Sequence, residues 1–385
     1  MVLTRRAYRE KMEISRWLPN EVLVQIIQHS AKADQATLAR ASKLFWDLCL
    51  PVLYRIVKLK NPRSITFFCS KIMEIPSRAD AVRSFTLNVP FNKHDEIRCD
   101  LILASLKLML SLDHLSLSAF ALDTRHTVML LEQCSFPQLI SCDLWAPSDI
   151  KDLFQIPPPP LSKSSDLTAV FLTRHSTLKR IQFHSVYRMV ASRSVHAPLP
   201  NLEFYAGHAR FILSINAIGL QAVELVWYTE DDEVIDEIVT GISSMTRPNF
   251  PFVSSHSYWD DPCQIVTSVS KHIPHTKTLR LQCLELSFTI LSQDTIRYIT
   301  RCLHGFTGLV YLELGYTRNF PAPGVDDDSE DRIAVEAWGK ACPTLEACCL
   351  NLSAWRKIDS HWETFSMKEF WVLAELPDSA SRFGD

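Results

Sequence analysis

Leu309-Val310-Tyr311-Leu312-Glu313-Leu314, LVYLEL, holds the pattern on which the fold turns: apolar, two residues, apolar, one residue, apolar. Leu312 and Leu314 stand two apart, so in an extended chain they point to one side while Glu313 points to the other. Leu309 leads them by the length of a turn. A single copy says little, because leucine is common. What decides is whether the pattern recurs, and what lies between its copies.

It recurs from residue 80 onward. The same spacing reads at Val82/Phe85/Leu87, Leu112/Leu115/Leu117, Leu139/Cys142/Leu144 and Leu178/Ile181/Phe183. It continues at Leu199/Leu202/Phe204, Leu220/Val223/Leu225, Leu281/Leu284/Leu286, Leu309/Leu312/Leu314 and Leu345/Cys348/Leu350. Most steps are roughly 20–40 residues, the range of short structural repeats. The step into Phe183 contains Pro157-Pro158-Pro159-Pro160, a stiff extended loop. The step from Leu225 to Leu286 spans 61 residues, too many for one unit. A degenerate strand near Phe250-Pro251-Phe252-Val253 is expected to split it, although Pro251 cannot donate to an interior ladder.

Between these strands the spacing turns helical. Asp231-Asp232 precedes Val234, Ile235, Ile238, Val239 and Ile242, one apolar stripe with acids where a helix dipole favours them. Segments 94–111, 123–135, 164–177, 258–273, 293–304 and 329–341 read alike. Strand then helix, repeated, implies parallel strands joined by crossovers. Each unit leaves one apolar face for its neighbour to cover, which is the logic of a leucine-rich repeat: a curved solenoid with inner strands and outer helices. The alternative is an ordinary α/β domain whose buried strands share the spacing.

Composition fits a large soluble core: 385 residues, formal charge −3, 47% hydrophobic and 22% charged. Near-neutral charge argues against nucleic acid as a partner. No apolar run reaches the length of a membrane span, and Leu101–Leu112 is interrupted by Lys107. The basic start Arg5, Arg6, Arg9 and Lys11 is broken by Glu10 and Glu13, unlike a transit peptide. Eleven cysteines without a C-x-x-C pair read as buried thiols in a reducing compartment, cytoplasm or nucleus. Neither metal nor cofactor is expected. The acidic run Asp326–Asp331 lacks the glycine and spaced glutamate of a calcium loop.

The N-terminal stretch SRWLPNEVLVQII, residues 15–27, is richer in large apolar residues than a solvated lead-in needs. A first helix starts near Pro19 and carries Val22, Leu23, Ile26 and Ile27 on one face. A second starts near Asp34, a suitable N-cap. A third carries Phe45, Trp46, Leu48 and Leu50 and is expected to stop at Pro51. Some forty residues are too few to hide all these side chains, and an apolar surplus on a small unit commonly marks a partner surface.

Leu18-Pro19-x-Glu21-Val22-Leu23-x-x-Ile26-Ile27 resembles the opening of an F-box. Asp34, Leu38–Trp46 and Leu53-Tyr54-Arg55 resemble its continuation, although the family's usual valine before the third-helix serine is Ala41 here. An F-box ahead of leucine-rich repeats is a known architecture, and the chain resembles its divergent fungal members. The resemblance implies a lead-in over 1–14, a three-helix F-box over 15–60, a degenerate repeat solenoid over 61–376 and a flexible tail over 377–385. It further implies a substrate receptor of a Skp–cullin–F-box ubiquitin ligase, with adaptor contacts at Leu18, Pro19, Glu21, Val22, Ile26, Leu38, Ala41, Phe45 and Trp46. The competing role for these residues is capping the solenoid. The competing function is a repeat scaffold outside ubiquitination.

A protein target would meet the concave strand face. There the single-residue gaps read Thr86, Ser116, Asp143, Gln182, Glu203, Glu224, Glu285, Glu313 and Cys349, rich in acids and without a base. The next column places Trp145, His184 and Tyr205 on consecutive strands. Aromatic anchors beside Glu203 and Glu224 suggest a grip on a basic segment. A solvent-facing column is polar in any case, which is the plainer explanation. Catalytic spacings are missing: there is no G-x-S-x-G, H-E-x-x-H, Walker loop or G-x-G-x-x-G.

Overall fold

The computed structural model describes residues 18–89, 98–118, 121–146, 162–185, 196–228, 234–248, 250–259, 261–284, 291–316, 328–351 and 353–376. The lead-in, the tail, Ser15–Trp17, the proline run, Asp231-Asp232, Glu285, Leu286 and Asp326-Asp327 lie outside them. The chain forms two compact units, Met1–Pro147 and Ser148–Asp385.

The first unit opens with three helices, α1 (Asn20–His29), α2 (Lys32–Ala39) and α3 (Lys43–Arg55). Ile27, Ala39 and Cys49 form their small core, with Leu38, Phe45, Leu48, Val52 and Leu53 packed around it. Gln35 is buried because its amide closes the end of α1, donating to Ile27 O at 2.8 Å and Ser30 O at 2.9 Å. Asp34 lies in the first turn of α2 rather than at its cap. Helix α3 does not stop at Pro51. The proline removes one backbone donor, but packing beyond it holds the helix: the Tyr54 ring lies 6.0 Å from Phe68, which lies 5.8 Å from Phe85 in the core.

Strand β1 (Ile56–Leu59) follows directly, then α4 (Pro62–Glu74), a 3-10 turn (Pro76–Ala81), β2 (Ser84–Leu87), α5 (Cys99–Leu106), β3 (His114–Leu117), α6 (Thr124–Gln133) and β4 (Ser141–Ala146). The four strands are parallel and in register. Val57 pairs Phe85, Phe85 pairs Leu115 and Leu115 pairs Cys142, while Leu59, Leu87, Leu117 and Leu144 form a second row. The first repeat strand therefore begins at Ile56, inside the segment the resemblance assigns to the F-box.

The second unit contains α7 (Ser162–Thr173), β5 (Arg180–Ser185), β6 (Ala197–Leu199), β7 (Phe204–His208), a 3-10 turn (Ala209–Ser214), β8 (Ile215–Ala217) and β9 (Ala222–Val226). It continues with α8 (Ile235–Met245), β10 (Phe252–Tyr258), α9 (Cys263–His272), β11 (Thr276–Cys283), α10 (Gln293–Leu303), β12 (Tyr311–Tyr316), α11 (Asp328–Ala341) and β13 (Ala347–Leu350). Strands β5, β7, β9, β10, β11, β12 and β13 pair in that order, all parallel. The strand-and-helix repeat of a leucine-rich-repeat fold is thus present, and β6 and β8 pair with each other as a separate two-stranded sheet. The helices dock on one another as well. Asp236 of α8 accepts from Ser268 at 2.6 Å and meets Lys271 and His272 of α9, and these hydrogen bonds lower its carboxyl to about 2.

Two sequence motifs are displaced from their true register. At β7, Ile181 pairs Tyr205 and Phe183 pairs Gly207, so the core positions are Tyr205 and Gly207 rather than Leu202 and Phe204. Tyr205 is fully buried and donates from Oη to His208 O at 2.9 Å. Its ring occupies the space that Gly207 leaves. Gly207 has φ 152°, and a Cβ there would stand 2.7 Å from Phe183 O and 2.9 Å from Tyr205 Oη. At β11 the core residues are Leu279 and Leu281, with Leu284 past the strand. The expected degenerate strand is real: β10 splits the long interval, and Pro251 sits just outside it. Its core positions hold Ser254 and His256, which pair Val223 and Leu225.

Those two polar residues are satisfied inside the core. Trp227 donates from Nε1 to His256 Nδ1 at 3.0 Å, so the proton of the neutral imidazole lies on Nε2, 2.7 Å from Ser254 Oγ. Burial lowers His256 to about 3 and keeps it uncharged.

After β13 the chain reverses into the antiparallel strands β14 (Ser353–Ile358) and β15 (His361–Phe365), then α12 (Met367–Leu373). This hairpin covers the edge that a last parallel strand would leave open. Trp362 packs on Gly339 of α11 so closely that a Cβ there would stand 2.8 Å from the indole.

Restoring leucine to the β7 motif makes a test. Gly207→Leu is expected to lose about 2–4 kcal/mol in urea denaturation through overpacking and an unsuitable backbone angle. A neutral or stabilising effect would favour the register Leu199/Leu202/Phe204.

Candidate functional site

The face of the strands opposite the buried leucine rows is the candidate binding surface. In the first unit its middle row is Lys58, Thr86, Ser116 and Asp143. In the second it is Gln182, Ala206, Glu224, Ser255, Arg280, Glu313 and Cys349. Thr86, Ser116, Asp143, Gln182, Glu224, Glu313 and Cys349 stand where the spacing put them. The two displaced motifs change the rest. Ala206 replaces Glu203 in this row, and the basic Arg280 replaces Glu285.

Glu203 instead lies ahead of β7, half-exposed, where it accepts from Lys179 Nζ at 3.0 Å. Tyr205 is a core residue and offers nothing to a target. His208 takes the position next to His184 in the following column, buried and stacked on Tyr228 with ring centroids 4.9 Å apart. The His184 side chain lies outside the described residues. Glu224 is half-buried in its predicted row. Tyr205 is therefore not available as an aromatic anchor. The missed signal was the bulky Tyr205 two before a glycine, which a search for leucines passes over.

Trp145 is half-buried and works with Asp143 and Ser116. Asp143 accepts from Ser116 Oγ at 2.9 Å and is hydrogen-bonded by the Trp145 side chain. Burial outweighs those bonds and raises the carboxyl to about 6. Arg180 lies over the Phe204 ring at 4.3 Å on the same row as the strand starts, an exposed cation held by an aromatic face.

The second half of the row is not open. Helix α12 lies across it: Phe370 and Ala374 pack with Ala347, Cys349 and Ala354. Beneath sit Arg280 and Glu313, 0% and 3% exposed, with Arg280 Nε 2.9 Å from Glu313 Oε2. With its amide turned, Gln282 accepts from the same guanidinium at 2.6 and 2.9 Å.

The second candidate surface is α1 with α3. Leu18 is 38% exposed, Val22 37%, Ile26 50%, Leu44 42% and Trp46 44%. Pro19, Glu21 and Ala41 are exposed, while Leu38 and Phe45 are half-buried against the helices' own core. Arg78 lies 5.8 Å from the Trp46 ring and 5.6 Å from that of Tyr54.

Among the described residues one cluster has metal-ligating composition: Cys99, Asp123 and His126, with ligand atoms within 4.8 Å of one another. Its groups are already engaged. Asp123 caps α6 by accepting His126 N at 2.8 Å and meets His126 Nδ1 at 2.8 Å. Burial pushes the Cys99 thiol up, away from the thiolate that zinc binds.

The shifted Asp143 gives a test. Its folded carboxyl titrates at about 6 and the unfolded one near 3.8. Between those values the folded chain holds more protons, so this group's contribution to stability falls as pH rises. Asp143→Asn does not titrate. Its stability relative to the parent chain is expected to improve from about pH 4 to about pH 6.5 in urea denaturation. An unchanged difference would place Asp143 in ordinary solvent.

No family model and no curated protein matches the chain. Among solved structures it is similar to the leucine-rich repeat-containing protein LegL7 from Legionella pneumophila, at 13% identity and a TM-score of 0.38, over 76% of this chain and 89% of that one.

Proposed function

We propose that the chain is the target-binding subunit of a Skp–cullin–F-box ubiquitin ligase, seating α1 and α3 on a Skp-type adaptor and holding a protein target on the strand face. The observation that carries this reading is the division of apolar residues on the first helices. Leu23, Ile27, Ala39 and Cys49 are buried, so the unit has a core. Leu18, Val22, Ile26, Leu44 and Trp46 are left at the surface, and the first three lie in the Leu18–Ile27 stretch that resembles the opening of an F-box. Five large apolar side chains kept out of an available core suit a partner better than a cap.

A receptor of this kind performs no bond chemistry. It raises the local concentration of the target's lysines beside the ubiquitin-charged partner, an effect that depends on tethering and orientation. All eleven cysteines are free, which fits the reducing cytoplasm or nucleus where such ligases work. A strand face of mixed polar residues fits a protein target.

The test is co-purification with a Skp-type adaptor. Val22→Asp with Ile26→Asp is expected to abolish binding and to shift stability by only about 0.5 kcal/mol, as for surface sites. Leu18→Ala with Pro19→Ala is expected to weaken binding at least tenfold. Retained adaptor with the double aspartate variant contradicts the proposal. No binding by the parent chain leaves the repeat scaffold acting outside ubiquitination.

A further inference from the structure

Residues 366–376, SMKEFWVLAEL, treat the strand face as a ligand would. Ser366 caps the segment by accepting Glu369 N at 3.2 Å. Phe370 is the buried anchor against Ala347, Cys349 and Ala354. Cys349 Sγ lies 3.4 Å from Met367 Sδ. Trp371 Nε1 points at Glu313 Oε1 from 3.5 Å. The far end is tied by Thr278 Oγ1 donating to Ala374 O at 3.3 Å and Lys277 Nζ donating to Glu375 Oε1 at 3.0 Å. Apart from Ala354 of β14, every strand-side partner belongs to the face opposite the buried leucines of β11, β12 or β13, or to the start of β11.

The strand face around Thr278 and Glu313, which the segment touches, is polar and closed. Ser255, Thr278, Arg280, Gln282 and Glu313 are each under 5% exposed. The same row upstream holds Gln182 and Glu224, which reach solvent. A face that had to stay shut would gain more from apolar pairs, because burying an ion pair carries a desolvation cost. When the cover leaves, water can solvate Arg280 and Glu313, which offsets part of the lost apolar contact. The segment also ends on Glu375 at φ 56°, a left-handed angle unusual for that residue and relaxed on release. Its outward side keeps Val372 72% exposed.

We propose that residues 366–376 are an internal stand-in for a target, and that the face of β11–β13 docks an amphipathic helix of a partner protein. That helix presents a large apolar anchor where Phe370 sits, an indole or other donor toward Glu313, and a trailing acid for Lys277. This rests on the receptor reading for the identity of the partner as a target, but the docking itself is independent of any adaptor. The released segment and the incoming helix exclude each other, so the chain's own segment sets the affinity a partner must exceed.

The probe is a fluorescent peptide of residues 366–376 added to the full chain. The parent chain is expected to bind it weakly, and a Phe370→Ala, Trp371→Ala chain at least tenfold more tightly. Lys277→Glu in that background is expected to lose binding, and a peptide with Glu375→Lys to regain it. A folded double variant that ignores the peptide, or binds it regardless of this charge pairing, overturns the proposal. Native-state hydrogen exchange of the unaltered chain covers the case of a misfolded variant. The Ala374 and Leu376 amides, bonded to Phe370 O and Trp371 O, are expected to exchange well before those of β11–β13. Exchange only together with those strands overturns the proposal. Adaptor co-purification is unaffected either way, so failure here and failure of the ligase reading are separate results.

Discussion

The parallel ladder constrains everything else. Its side-chain period is two, so once Leu312 and Leu314 pair with Leu279 and Leu281, every residue on those strands is assigned to one face or the other. The leucine side is covered by the helices that make the crossovers. The opposite side is the candidate binding face. A slip of one residue would exchange the two, which is why the fold tolerates odd core residues but not a shifted register.

The odd core residues show how that tolerance works. Tyr205 and Gly207 fill jointly a volume that two leucines fill elsewhere, the tyrosine taking the glycine's share. Ser254 and His256 put polar atoms into the row and satisfy them with Trp227. Each keeps the ladder while abandoning the leucine spacing. Buried polar groups with complete partners are compatible with a close-packed interior, whereas the same groups unpaired are not.

Legibility in the sequence followed from this. Strands with apolar residues at both core positions, such as Phe85/Leu87 and Leu312/Leu314, could be placed by eye, and so could the helices between them. The β7 and β11 motifs were displaced because a nearby leucine, Leu199 or Leu284, imitated the right spacing while the true core residue was tyrosine, glycine or threonine-led. Helix α3 passed through Pro51 because packing by Tyr54 and Phe68 outweighed a lost backbone bond. The closing hairpin and α12 carried no repeat signal at all. The binding face was the least legible part, since the displaced registers misassigned Glu203 and Tyr205, and nothing in a linear pattern announced that α12 would lie across Arg280 and Glu313. The exposed apolar residues of α1 were legible, because a short amphipathic segment with too many large side chains declares its surplus directly.

The central claim is that the repeats are closed by their own contacts while α1 and α3 keep an apolar surface for an adaptor. Hydrogen–deuterium exchange of the chain, alone and with a Skp-type adaptor, tests it most directly. The account predicts new protection confined to peptides spanning residues 18–50, with β1–β13 unchanged. Protection that instead falls on the strands, or none at all in the first helices at saturating adaptor, would contradict it.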